Sequence, residues 1–380
     1  MKIGDEISSK LAHKPGSFYI KQIIRPKFGL PAGDGVICAE FPEGLLQRCF
    51  ADESLLAEIL VKKFSDHLPL YRVEEIFLRD GVKIRRQLLS QWVLRSSLAL
   101  KPLYDEMLKT VLATGNVFID ESPVSMLVPG KGKTQNAYMW LVTAKGLAVF
   151  DFRENRKHKN AEDILKEFSG IFHSDKYGAY EELAKNPKLT WCPCWAHIRR
   201  KFYEAESGDP ELRKWMLRHI RYLFMLEKVA LARSPDERLR IRQEKGIPVI
   251  DKMIATCKNR LVNGGILPKS KLRTALGYFL GLIPYLKNYA YHVNARLDNN
   301  TAERTIRPLA IGRKNWLFVG SNRGGEAAAI TLSLVQSCRN LGIDPREYLE
   351  DIMRRIMDHP ASRLRELLPD QWKKASDSSI

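Results

Sequence analysis

Apolar positions along this chain change their spacing several times, and each change marks an element. Ser17 to Arg25 and Gly35 to Phe41 read as short β-type runs around the turn-rich segment from Gly29 to Gly35. From Asp52 to Leu108 the spacing becomes helical. One helix starts at Ser54–Val61, a second covers Leu70–Leu78 and stops at Arg79-Asp80-Gly81, and a third spans Arg85–Ser96 with Leu88, Leu89, Trp92 and Val93 on one face. A glycine turn followed by a basic helix predicts a helix-turn-helix; three packed helices bridging two domains is the alternative.

Between 115 and 195 short apolar runs alternate with helical stretches. Strands are expected at Asn116–Asp120, Tyr138–Val142, Leu147–Phe152, Ile171–Asp175 and Leu189–Cys194, with a hairpin through Thr143-Ala144-Lys145-Gly146. Helices fall at Ala161–Phe168 and Tyr177–Ala184. Three leading strands followed by helix-strand-helix-strand is the layout of a ribonuclease-H-like mixed sheet, an order that other α/β domains share. Ala196 to Ala295 has no strand signal and reads as an all-α insertion, clearest at Leu212–Glu227, Val249–Val262 and Lys271–Leu286.

The chain returns to the core at Leu297, with Asn300 or Thr301 as a helix N-cap and Pro308 expected to end that helix. Ala310–Ser321 is expected to be extended, and Glu326–Leu341 forms an apolar helix closed by Gly342. Asp344-Pro345-Arg346-Glu347 opens a last helix, to about His359, and Lys373–Ile380 reads as frayed. The expected organisation is therefore a β-rich element (1–50), a helix-turn-helix-like domain (51–110), a core in two parts (111–195 and 297–341), the insertion between them (196–296), and a C-terminal helix and tail (342–380).

A length of 380 residues with 44% apolar content supports two or three real cores. Leu276–Ile283, the longest apolar stretch, is too short to span a membrane, and Met1–Glu6 carries no apolar leader, so a cytoplasmic protein is expected. The 62 basic against 44 acidic residues give +18, with pI ≈ 9.6, which points to a polyanionic partner, nucleic acid first. Six scattered cysteines do not make a disulfide framework. Only Cys192-Pro193-Cys194-Trp195-Ala196-His197 is ligand-like, and it lacks the usual zinc spacing and a fourth ligand nearby.

The acids carry the candidate chemistry. Asp120 ends the run Val117-Phe118-Ile119, Asp175 ends Ile171-Phe172-His173-Ser174, and Glu303 sits among arginines on the returning helix. Two strand-end aspartates plus a later glutamate can hold two divalent cations for phosphodiester chemistry. Each has a plainer reading: Glu121 or Asp151 in place of Asp120, Asp175 as a helix cap, Glu303 paired with Arg307 one turn on. Gly130-Lys131-Gly132-Lys133-Thr134 is not a phosphate loop, because Leu127 stands where its first glycine belongs and a strand follows. Arg199, Arg200, Lys201, Arg304, Arg307, Arg313 and Lys314 are candidate phosphate contacts, and Trp316 is a candidate base-stacking residue or a core residue.

Specific stretches go further. Ile119–Val124, Asp175–Tyr180, Trp195–Phe202, Pro69–Arg72 and above all Asn299–Gly325, with Ala302-Glu303-Arg304 and Ile311–Trp316, resemble transposases of the insertion sequence 66 family, a branch of the DDE transposases. The resemblance covers nearly the whole chain. It implies Asp120, Asp175 and Glu303 as the acidic triad, with two divalent cations, magnesium or manganese, as cofactors. It also implies cleavage at element ends followed by attack of the freed 3′-hydroxyl on target DNA. Implied partners are element-end and target DNA, further copies of the chain, and accessory proteins of the same element, in a nucleoid-associated setting. One departure stands out: the cysteine pairs of that family's N-terminal zinc finger are absent around Arg25–Pro31. A catalytically silent or truncated DNA-binding regulator of the same descent is the alternative reading.

Overall fold

The computed structural model describes residues 16–29, 35–40, 44–128, 130–206, 208–263 and 266–373; the turn expected over 30–34 and the tail from 374 lie outside them. Strands β1 (Lys27–Gly29) and β2 (Val36–Cys38) pair antiparallel near the start. The strand expected over Ser17–Arg25 does not form. Among the described residues that segment has no neighbouring strand to complete a ladder, and Phe18 instead sets its ring edge-on against Phe77, 5.1 Å away. Helices α1 (Glu53–Phe64), α2 (Leu70–Arg79), α3 (Arg86–Ala99) and α4 (Lys101–Leu112) follow. The Asp52 carboxylate caps α1 by accepting from Ser54 N–H at 3.0 Å. Helix α3 buries Leu89, Trp92 and Val93 and leaves Arg86, Gln87, Ser90 and Gln91 exposed.

The central sheet comprises β3 (Asn116–Leu127), β4 (Thr134–Ala144), β5 (Leu147–Arg153), β6 (Gly170–Ser174) and β7 (Leu189–Pro193), in the order β5-β4-β3-β6-β7. The first three are antiparallel; β3, β6 and β7 are parallel. Lys145 and Gly146, both at positive φ (49° and 87°), make the two-residue turn between β4 and β5, whose twist suits a hairpin. Gly130 and Gly132 take φ of 72° and 58° in the β3–β4 connection, so these glycines serve the turn. Short helices α5 (His158–Ile164) and α6 (Gly178–Leu183) make the crossovers between the parallel strands.

Helices then run without a strand: α7 (Trp195–Glu204), α8 (Pro210–Leu231), α9 (Pro235–Ile241), a π turn over Arg242–Gly246, α10 (Ile247–Asn263) and α11 (Lys271–Leu280). Their anchor is Arg242, whose side chain is 2% exposed. It donates to both Glu227 carboxylate oxygens (2.9 and 2.6 Å) and to the carbonyls of Tyr289, His292 and Ala295 (3.1, 2.9 and 3.0 Å). All five guanidinium N–H groups are thereby satisfied.

The chain returns through α12 (Asn300–Trp316), α13 (Asn322–Leu341) and α14 (Pro345–Arg355). Pro308 does not end its helix, and the extended segment expected from Ala310 is helical as far as Trp316. An internal proline costs a helix about 3 kcal/mol. Ile306, Leu309 and Gly312 are buried on both sides of it as α12 packs on β3 and β4, and that packing outweighs the local cost. Helix α13 lies along the free edge of β5. Ser333 and Ser337 hydroxyls accept from the N–H groups of Phe150 and Ala148 (2.8 and 2.9 Å), and the Tyr104 hydroxyl donates to Phe150 C=O at 2.9 Å. Among the described residues no helix is long and apolar enough to cross a membrane.

Candidate active site

Strand β6 pairs with β3 only as far as Phe118 opposite His173, whereas β3 continues on β4's ladder to Leu127. Asp120 therefore lies inside a strand rather than at its end, as the sequence reading had it. The sheet parts just there, at the carboxyl ends of the parallel strands, where open α/β sheets present their sites. Asp175 is the first residue after β6. The corner Cys194-Trp195 gathers the chain around this gap. Cys194 N–H donates to Ser174 C=O (2.9 Å), Trp195 N–H to Leu297 C=O (3.0 Å), and Asn299 N–H to the Cys194 sulfur (3.2 Å). The Asn299 side chain in turn donates to Ile119 C=O at 2.9 Å. Residues beside each acid are thus tied to one corner, which brings Glu303, in the first turn of α12, to the gap.

The three carboxylates form one electrostatic group. Burial, then the Glu121, Asp175 and Glu303 charges, push the Asp120 carboxyl up to about 7. Burial, then Glu121 and Glu303, push Asp175 up to about 6 against the pull of Arg156 and Lys201. Asp175 Oδ1 and Glu303 Oε1 are buried and accept no hydrogen bond. The alternative acids are occupied: Glu121 accepts from Arg156 Nε at 2.8 Å and from the Tyr180 hydroxyl, and Asp151 from Arg153 Nε at 2.6 Å. Asp175 does not cap α6, whose N-cap Tyr177 makes no side-chain bond. Nor does Glu303 pair with Arg307; it meets His197 Nδ1 at 3.5 Å and Arg200 Nη2 at 3.8 Å.

Raised carboxyl pKa values oppose folding of the ionised form, so in chelator stability falls as pH rises from the ordinary value of 3.8 through about 7. Asp120→Asn removes that penalty. In chelator its melting point should exceed wild type by several degrees at pH 8, about 2–4 kcal/mol, with the gap closing towards pH 5. Thermal melts of both proteins over pH check this; a gap independent of pH would contradict the crowding of these acids.

Crowded carboxylates, with Asp175 Oδ1 buried and accepting no hydrogen bond, fit hard divalent ions such as magnesium. The run Cys192–His197, ligand-like but without the usual zinc spacing, does not gather as a unit. Among the described residues Cys194, His197 and Glu303 bring their ligand atoms within 4.8 Å of one another, but Cys192 does not join them. Burial pushes both thiols up to about 12, and Cys194 already accepts from Asn299. Burial, with Arg200 and Lys201, pushes the His197 imidazole below its ordinary value while Glu303 pulls it up.

His197, Glu121, Arg156 and Tyr180 surround the acids; the sequence offered Glu121 as an alternative to Asp120 and His197 as the end of the ligand-like run from Cys192, and gave Arg156 and Tyr180 no role. His197 also lies two residues ahead of the basic triplet Arg199-Arg200-Lys201, one turn from Arg200 and Lys201. The insertion also reaches the site, since the Tyr278 hydroxyl on α11 accepts from Lys176 N–H at 3.1 Å, one residue past Asp175. Of the basic candidates, Arg199, Arg200, Arg304, Arg307 and Lys314 are exposed, and Lys201 approaches the Tyr278 ring at 5.7 Å. Arg313 is committed to β3, donating to Ser122 Oγ and Pro123 C=O (3.0 and 2.7 Å). Trp316 is half-buried, its ring edge-on to Phe64 at 5.8 Å.

A five-stranded mixed sheet under many helices, with acids gathered where its strands part, is consistent with a ribonuclease-H-like core. The chain belongs to the IS66 family of transposases, matching that family over residues 48–327 and the IS66 C-terminal element over 333–369. It is 34% identical to the uncharacterized protein y4qI of Sinorhizobium fredii over 98% of this chain and 72% of that protein. It is 32% identical to y4jD of the same organism, over 98% of this chain and 76% of that protein.

Proposed function

We propose that this transposase cleaves phosphodiester bonds at the ends of its element and joins the freed 3′-hydroxyl to target DNA, using Asp120, Asp175 and Glu303. The observation that carries this reading is the buried Asp175 Oδ1, which accepts no hydrogen bond, beside Glu303 and a carboxyl that burial and its neighbours push up to about 7. A group so short of counter-charge suits cations better than it suits a fold. Asp120, Asp175 and Glu303 would hold divalent cations, which when bound neutralise phosphate charge and acidify water. The chain's own residues prepare that site. The Cys194–Asn299 corner fixes α12 against β3 and β6, and His197 and Arg200 hold the Glu303 carboxylate. Exposed Arg304, Arg307 and Lys314 hold the incoming backbone, and the exposed face of α3, with Arg86, Gln87 and Gln91, reads base edges.

The test is direct: purified protein, a duplex carrying the element end, and magnesium or manganese. The expected products are a 3′-hydroxyl at the element end and its joint with target DNA, both lost in chelator; turnover persisting in chelator would end the reading. Replacing Arg304, Arg307 and Lys314 with Gln should weaken binding to all duplexes alike. It should also flatten the salt dependence of log K by about one unit per lost phosphate contact. Loss of end preference in these variants, with none on altering the face of α3, would reverse the division between backbone contact and sequence reading.

A further inference from the structure

Three arginines converge on an open cavity of about 630 Å³ between α7 and α8, lined by Arg199, Leu217, Arg218, Arg221 and Phe224. Several guanidinium groups elsewhere in the insertion are spoken for: Arg213 donates to the carbonyls of Phe202 and Tyr203, Arg260 pairs with Asp209, and Arg242 is fully bonded. At the cavity they are not. Arg218 and Arg221, nearly one turn apart on α8, are exposed and meet no carboxylate among the described residues, and Arg199 meets only the Tyr203 ring at 5.7 Å. Like charges held around one hollow repel one another, and an anion entering it relieves the repulsion. The rest of the lining is apolar: Leu217 and Phe224, two turns apart on the same face of α8, are both half-buried.

We propose that this cavity binds a single unpaired nucleotide of DNA, its phosphate on Arg199, Arg218 and Arg221 and its base against Phe224 and Leu217. The inference rests on the DNA-handling function proposed above and adds a subsite to it. A volume of this order suits a nucleotide-sized ligand. A base inside a duplex hides its faces in the stack, so an aromatic wall within a hollow can be met only by a base that has left the stack. Location supports the same ligand. Arg199 lies beside Arg200, which contacts Glu303, so the cavity and the acidic group flank one turn of α7. One strand can therefore occupy both within a few nucleotides.

The test uses the full chain in magnesium-free buffer. The probes are a blunt duplex, the same duplex with unpaired thymidines at one end, and a fluorescent 2-aminopurine placed among those unpaired bases. Wild type should bind the unpaired-end probe roughly tenfold more tightly than the blunt one and quench the 2-aminopurine. Phe224→Ala should remove both the preference and the quenching, leaving blunt-duplex binding unchanged, and Phe224→Trp should restore them. Arg218→Gln with Arg221→Gln should weaken the unpaired-end probe most and flatten its salt dependence by about one unit per lost phosphate. Equal binding of both probes by wild type, or quenching that survives Phe224→Ala, would overturn the proposal. Displacement of the probe by polyglutamate as readily as by oligothymidylate would also overturn it, and would make the cavity an acidic-peptide site. If cleavage needs Glu303 while Phe224→Ala leaves the preference intact, this subsite fails and the transposase reading stands. If the preference depends on Phe224 but no cleavage occurs with metal, the reverse holds.

Discussion

Asp175→Asn should lower strand cleavage by roughly a thousandfold or more while leaving DNA binding within about twofold of wild type. Asp175 Oδ1 is buried with no donor against it, so it is free to accept a cation and makes no bond whose loss would unfold the loop. The amide keeps the shape but replaces a charged acceptor with a group that can donate. Several kcal/mol of charge stabilisation vanish with it, and at 1.36 kcal/mol per decade that is at least three decades. Asp120→Asn and Glu303→Gln should fall to the same floor, and double variants should fall no further, because groups that act as a unit do not add. Gel assays of cleavage, with anisotropy for binding, separate the two effects. An Asp175→Asn protein that cuts at the wild-type rate would remove the triad. All three variants binding DNA normally in a wild type that never cuts would favour the DNA-binding regulator.

Arg242→Ala should cost about 3–5 kcal/mol of stability, because it strands the buried Glu227 charge. Arg242→Lys should recover little. One ammonium offers three donors from a point, whereas five bonds leave this guanidinium in three directions. Apolar replacement of both partners often rescues a buried ion pair, but here it should not. Arg242→Met with Glu227→Leu still leaves the carbonyls of Tyr289, His292 and Ala295 without their donors. Urea melts of the three proteins check this; full stability in the double variant would show that the carbonyl contacts contribute nothing. Activity should suffer as well, since Ala295 lies four residues before Asn299, which sets the first turn of α12.

The five core strands were legible because buried strands declare themselves as apolar runs between turn residues, and Tyr138–Val142 and Leu147–Phe152 are such runs. The course of α12 was not. Pro308 is a helix breaker by every local rule, and only the burial of Leu309 and Gly312 under the sheet explains why the helix runs on to Trp316. Asp120 was visible as a candidate, yet its place inside β3 depends on where β6 stops, which no window along the chain contains. The contact of His197 with Glu303 spans a hundred residues of insertion, so its partner could be named only once the chain had folded back. For Trp316 the sequence left stacking and core readings open, and it sits edge-on to Phe64 on α1, a helix far away in the chain.

The side chains that α13 and α4 lay against β5 also limit how copies of this protein can meet. A strand's outer rim is a template for another strand, and many proteins dimerise by extending one sheet through the next. Here Ser333, Ser337 and Tyr104 already occupy the outward N–H and C=O groups of Ala148 and Phe150. A second copy approaching from that side meets a helix rather than a backbone. Copies of this protein therefore cannot associate by splicing sheets together at β5.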